Sequence, residues 1–170
     1  MRCGLLGEKL GPSSLPELHA FFGNYDYELF EVPPDQLGDF IRARDFQGLN
    51  VTIPYKTTML AICDDLTEAA AAIGSVNTVV KQLDGALLGD NTDAAGFEGM
   101  VWKSRMRILG RKCLVLGSGG ASLSVQYVLR KLGAGEIVVI SRTGEDNYTN
   151  LDRHRDASIL VNTTPVGMYP

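Results

Sequence analysis

Short apolar runs closed by glycine or proline alternate with helix-like segments along the whole chain, and this alternation most constrains the fold. "CGLLG" (3–7), "YDYELFEV" (25–32) and "GLNVTIP" (48–54) read as strands. Between and after them, "SSLPELHAFFG", "PPDQLGDFIRARDF", "YKTTMLAICDDL" and "TEAAAAIG" read as helices, the first with a serine cap and an early proline. "VNTVVKQLDGALLG" carries a D-G turn between two apolar runs and predicts a hairpin. "TDAAGFEGMVWKS" is a further helix that leads into a second unit. There, strand "CLVLG", helix "ASLSVQYVLRKLG" and strands "EIVVIS" and "ASILVNTT" follow in turn. Strands alternating with helices predict parallel, doubly wound sheets, so the class is α/β. The expected domains are 1–100 and 101–170.

Bulk composition excludes several classes. Basic and acidic residues number 16 and 20, for a net charge of -4, which gives no general attraction for nucleic acid or an anionic membrane. The basic run "KSRMRILGRK" (103–112) has no interleaved aromatics and reads as a solvated helix end. Cys3, Cys63 and Cys113 are scattered and odd in number, which suits a reducing compartment better than a disulfide framework. With two histidines and no close ligand spacing, no metal is expected. The apolar runs are too short to span a bilayer, and the start lacks an apolar signal core, so the expectation is a soluble cytoplasmic protein.

The second unit carries a glycine-rich turn, "VLGSGGAS", between an apolar strand and a helix. Backbone N–H groups of Gly117, Ser118, Gly119, Gly120 and Ala121 are candidates for cradling a pyrophosphate at the positive helix end. The following strand ends in Ser141-Arg142-Thr143. An acid there would hold the ribose hydroxyl of NAD; a guanidinium with hydroxyls suits the 2′-phosphate of NADP. Three strands supply one mononucleotide half, and "NTTPVGM" begins the nicotinamide side.

In the first unit, Asn50 and Thr52 share one face of a strand at its carboxyl end, because side chains alternate with period two. Lys56 follows Pro54 by two residues, at the expected start of a helix, where a cation opposes the dipole and a purely structural role is weak. In "GDNTDAAGF", Asn91, Thr92 or Asp93 caps the next helix, and the dipole favours an ionised Asp93. Asn77 of "GSVNT" adds an uncharged donor and acceptor. Taken singly these are turn and cap residues; as a set they suit a small polyhydroxylated substrate.

"GLLGEKLGPSS", "GLNVTIPYK", "GSVNT", "GDNTDAAG", "GSGGAS", "SRT" and "NTTPVGM" occur in the order seen in shikimate dehydrogenases, and the resemblance covers essentially all 170 residues. It implies an N-terminal substrate-binding α/β domain plus a partial Rossmann (NADP-binding) domain. The implied reaction is the reversible NADP-dependent reduction of 3-dehydroshikimate to shikimate, on the route to aromatic amino acids. By the same resemblance Lys56 and Asp93 are the catalytic pair, Lys56 stabilising the developing alkoxide and Asp93 orienting it and the hydroxyl. Ser13, Asn50, Thr52, Asn77 and Asn91 are implied substrate contacts. Gly117 to Ala121, Ser141 to Thr143, Asn162, Thr163, Thr164, Gly167 and Met168 are implied cofactor contacts.

The chain departs from the family in two places. The family's S-x-S-P pattern grips the substrate carboxylate, and here "PSSLP" keeps Ser13 but sets Leu15 at the second serine. A lost hydrogen bond to a charged group would cost about 1.5–3 kcal/mol. Family members also continue past "GMYP", so the 170-residue chain is expected to turn over poorly. Two alternatives stay open: a non-catalytic module binding a nucleotide, metabolite or partner, and a quinate-accepting relative. Monomer and homodimer are equally compatible with the residues.

Overall fold

A computed structural model of the protein describes residues 1–23 and 25–167. Two compact units appear, Met1–Asn91 and Thr92–Pro170.

The first unit is built on six strands: β1 (Arg2–Gly7), β2 (Asp26–Glu31), β3 (Gly48–Val51), β4 (Asp65–Leu66), β5 (Thr78–Lys81) and β6 (Leu87–Asp90). They form one sheet in the order β2-β1-β3-β5-β6-β4. Its helices are α1 (Leu15–Phe22), α2 (Leu37–Ala43) and α3 (Glu68–Ile73). Period-two burial sorts β3: Leu49 and Val51 are 2% exposed and join Leu6, Phe30 and Val79 in the core, while Asn50 lies between them on the other face. Each such buried side chain contributes about 1.5–3 kcal/mol. Leu37 and Ile41 of α2 close the core, and Phe40 stacks on Phe46 at a centroid distance of 5.8 Å. By contrast, α1 buries none of its residues.

This sheet is mixed, not parallel throughout as expected. β1 runs parallel to β2 and β3, and β4 parallel to β6. The D-G hairpin forms as predicted, with Gly85 at φ 90°, and brings β5 in antiparallel to both β6 and β3. A tight turn can join only antiparallel strands, so the hairpin fixes the β5–β6 pair, and the docking of β5 on β3 adds the second antiparallel pair.

The helix expected over 55–66 is also different. Only a 3-10 turn forms, Thr58–Ala61, and the segment then enters the short strand β4, which the sequence reading missed. Two consecutive β-branched residues, Thr57 and Thr58, weaken an α-helix. Tertiary bonds then decide: Asp64 N–H reaches Leu87 O at 2.9 Å and pulls the chain onto the sheet edge. The helix-dipole argument for Lys56 falls with that helix, since Lys56 precedes a single 3-10 turn.

The second unit begins with α4 (Asp93–Ser104), followed by β7 (Lys112–Leu116), α5 (Gly120–Lys131), β8 (Glu136–Ile140) and β9 (Ile159–Asn162). The three strands are parallel in the order β8-β7-β9. Phe97 and Val101 of α4 pack in a core with Cys113, Val115, Val125 and Leu129. All of α4 therefore belongs to this unit, and the division falls after Asn91 instead of at residue 100. Residues 141–158 cross from β8 to β9 with a single 3-10 turn, Leu151–His154. Asn147 and Asn150 hold this connection through bonds to the backbone of Gly144, Glu145 and Asn147. His154 Nε2 pairs with Asp146 Oδ1 at 2.8 Å.

Gly4 shows how tightly β1 is packed. A Cβ there would lie 2.4 Å from Glu28 O and 2.4 Å from the Phe30 ring. Gly4→Ala is expected to destabilise the protein by about 2 kcal/mol or more, because a backbone oxygen has to shift. Chemical denaturation of the variant beside the parent measures it.

Candidate active site

Five of the expected polar residues meet within the first unit, and backbone hydrogen bonds bring them there. Val51 N–H donates to Asn77 O at 2.7 Å, Asn77 N–H to Asp90 O at 3.0 Å, and Val76 N–H to Lys56 O at 2.8 Å. Thus the ends of β3, β5 and β6, and the turn after β3, are sewn into one corner carrying Asn50, Thr52, Lys56, Asn77 and Asn91. Asn77 and Asn91 are 7% and 3% exposed, whereas Asn50, Thr52 and Lys56 are half-buried. Asn91 Nδ2 donates to Ser75 O at 2.8 Å, and Asn77 Oδ1 accepts from Thr78 Oγ1 at 3.0 Å.

The turn that carries Lys56 is anchored from below. Tyr55 is 3% exposed, and its phenol donates to Val32 O at 2.5 Å. Thr52 N–H continues the ladder to Leu6 O at 2.9 Å. A Cβ on Gly7 would lie 2.9 Å from Thr52 Cγ2, so the glycine is what admits the threonine side chain. Ser13 lies in the loop between β1 and α1, where its Oγ accepts the Leu15 amide at 3.3 Å. Leu15 itself opens α1.

Three residues that sequence reasoning passed over hold this corner in shape. Asp90 Oδ1 accepts from Thr67 Oγ1 at 2.6 Å and from Asn91 N–H at 2.8 Å. Thr67 caps α3 by accepting from Ala70 N at 3.2 Å. Tyr27 donates to Asn50 Oδ1 at 2.7 Å. A capping signature marks Thr67 in the sequence; the links of Asp90 and Tyr27 depend on strand order, which local patterns do not encode.

In the second unit the candidate cofactor residues leave one edge of the sheet. Leu116 is in register with Ile140 and Asn162, so Gly117–Gly119, Ser141–Thr143 and Asn162–Thr164 all follow carboxyl ends of parallel strands. Gly117 has φ 103°, and a Cβ there would lie 2.8 Å from Thr163 Oγ1 and 2.9 Å from Thr164 Cγ2. Around Gly119 a Cβ would meet nothing within 4 Å, and the first turn of α5 holds no acid. Open space, a positive helix end, exposed Arg142 and the hydroxyls of Ser141 and Thr143 fit a 2′-phosphorylated dinucleotide.

Several of the expected contacts already have intramolecular bonds. Asn162 Oδ1 accepts from Thr164 N and Oγ1, at 3.0 and 2.7 Å, and its Nδ2 donates to Val166 O at 2.7 Å. Thr163 Oγ1 donates to Leu116 O at 2.6 Å. Gly167 has φ 89°. Met168 lies outside the described residues. Asp93 is the first residue of α4, in its first turn.

A glycine-turn nucleotide unit and a mixed-sheet unit with a cluster of amides, a threonine and a lysine define a two-part α/β protein of the dehydrogenase type. The family profile described as "Shikimate dehydrogenase substrate binding domain" matches residues 5–79. Shikimate dehydrogenase (NADP(+)) of Clostridium botulinum strain Loch Maree is 35% identical, the match covering 96% of this chain and 71% of that protein. The enzyme of that name from Clostridium perfringens is 37% identical, over 98% of this chain and 69% of its own. Among solved structures, shikimate dehydrogenase 1 of Peptoclostridium difficile superposes with a TM-score of 0.90 at 31% identity, over 99% of this chain and 69% of that one. The Thermus thermophilus enzyme in complex with NADP(H) and shikimate gives 0.82 at 35% identity, over 98% and 69%. The chain belongs to the shikimate dehydrogenase family.

Burial pushes the Tyr27 phenol up to about 12, with lesser effects from Tyr25 and Cys3. Its raised pKa favours the protonated phenol in the folded state. The resulting stability is complete below the ordinary tyrosine value of about 10 and is lost as pH rises through about 12. Phenolate absorbance should therefore show a late step near the upper limit of the titration that Tyr27→Phe removes. The parent should also lose more stability than the variant between about pH 9 and pH 12.

Proposed function

We propose that this chain binds shikimate and 3-dehydroshikimate at the polar corner of its first unit and NADP(H) at the strand ends of its second. Its reaction is then the reversible, NADP-dependent interconversion of the two. The observation that carries this reading is the grouping of Asn50, Thr52, Lys56, Asn77 and Asn91 by three backbone bonds, in a chain of this family. Two amides in this corner suit a ring bearing several hydroxyls, because an amide can both donate and accept and a hydroxyl can do the same.

In this reading the nicotinamide supplies or accepts the hydride. The other roles fall to side chains. Lys56 stabilises the alkoxide that develops as the ketone is reduced, and it delivers the proton. Asp93, at the start of α4, takes a hydrogen bond from the reacting hydroxyl. Ser13 is the proposed carboxylate contact, with Leu15 unable to add a second hydroxyl. Gly117–Ala121 hold the pyrophosphate, and Ser141, Arg142 and Thr143 hold the 2′-phosphate. Asn162–Thr164, Gly167 and Met168 border the nicotinamide side. Among the described residues no helix is long and apolar enough to cross a membrane. The three cysteines are free, which suits a reducing compartment, and we place the protein in the cytoplasm.

Calorimetric titration with NADPH and NADH, each with and without shikimate, tests the proposal together with a turnover assay. The expected results are tighter binding of NADPH than NADH by about tenfold or more, and a separate heat for shikimate. Arg142→Ala should erase most of the cofactor preference. Lys56→Ala should lower turnover by about a hundredfold or more while leaving the NADPH affinity in place. Absence of binding by both NADPH and shikimate would sink the reading.

A further inference from the structure

We propose that Tyr27 is a positioning residue: its phenol fixes the Asn50 side-chain amide so that the NH₂ group is presented to an acceptor oxygen of the substrate. This rests on the reading of Asn50 as a substrate contact.

The geometry is set by the sheet. β1 lies between β2 and β3, with Cys3 in register with Tyr27 and Leu5 with Asn50. Side chains of in-register residues on parallel strands point to the same face, so Tyr27, Cys3, Leu5 and Asn50 share one side of the sheet. The tyrosine is long enough to reach across β1, and its hydroxyl donates to Asn50 Oδ1 at 2.7 Å. A phenol O–H donates readily, and of the two ends of an amide only the oxygen can accept. With the phenol as donor, the amide oxygen faces Tyr27 and the nitrogen is turned away from it.

Asparagine has more capacity than this bond uses. Among the described residues Tyr27 is the only hydrogen-bond partner of the Asn50 side chain. Here the two N–H donors remain for a ligand, beside Thr52 and Lys56 on the same strand end and turn.

Tyr27 is held in turn. The His19 ring stacks on it with centroids 3.8 Å apart and an interplanar angle of 11°. His19 Nδ1 bonds the Tyr25 hydroxyl at 2.5 Å, so the stack is fixed at its outer end. The stack restrains the Tyr27 ring, whose hydroxyl is directed at Asn50. Burial keeps the phenol protonated, and hence a donor, across the neutral range.

Titration of shikimate into the full chain decides this, with the parent, Tyr27→Phe, Asn50→Ala, Asn50→Asp and the Tyr27→Phe/Asn50→Ala double variant, each also checked by thermal unfolding. Tyr27→Phe is expected to weaken shikimate about three- to tenfold without a matching loss of melting temperature. In the Asn50→Ala background the same change should have no further effect, because the phenol acts only through the amide. Asn50→Asp keeps an acceptor for Tyr27 and removes the N–H donors, so it should fold normally and bind poorly. A Tyr27→Phe variant that binds as the parent does, or one that weakens binding equally with and without Asn50, overturns the proposal. If Tyr27→Phe does not fold, unimpaired binding by Asn50→Asp does so instead. A parent that binds no shikimate overturns the substrate reading itself, a result distinct from the others.

Discussion

The double use of the Asn77 peptide group is the constraint on which the first unit depends. Its carbonyl accepts from Val51 and its N–H donates to Asp90, so one residue joins β3 to β6 across β5. With the Val76 bond to Lys56 O, that join sets Asn77 and Asn91 beside the turn that carries Lys56. Asp90 extends the same logic, since its carboxylate ties the end of β6 to the cap of α3. Polar groups buried this deeply hold their places only when their partners are complete. The shape of the corner and the stability of the fold are therefore written in the same bonds.

The second unit uses a different device, close backbone approach. β7 and β9 are neighbours, and the turn after β7 passes so near Thr163 and Thr164 that no side chain fits on Gly117. Thr163 secures the approach from the other side through Leu116 O. The result is a strand-to-helix turn in which a Cβ on Gly119 would meet nothing within 4 Å. The β8–β9 crossover reaches its strand without a helix, and side-chain bonds from Asn147, Asn150 and His154 to the loop supply the order that a helix would have given.

Much of this was legible in the residues. The D-G pair, the Gly-rich turn and the period-two pattern of "LNV" are local signals, and the hairpin, the turn before α5 and the inward Leu49 and Val51 follow from them. The motifs also placed Asn50, Thr52, Lys56, Asn77 and Asn91 at strand ends. What the residues did not carry was strand order. A hairpin inserted between β3 and β4 makes the sheet mixed, and no local pattern says which strand it will pair with. The overread helix over 55–66 has a similar cause: its periodicity was real, but the pull of Asp64 onto Leu87 O is a tertiary effect. Tyr27 was invisible for the same reason, because its partner lies two strands away in a sheet whose order was unknown.

The first helix has a physical consequence that follows from its burial. α1 inters none of its residues, yet it supplies His19, whose ring lies flat on Tyr27. A helix held so lightly should open on its own, with its amides exchanging with solvent long before the sheet unfolds. Each opening would release the ring stack and let the Asn50 amide turn over. Ligand capture at Asn50 would then stiffen α1 through the ring stack, and part of the affinity would be set by the entropy of that helix.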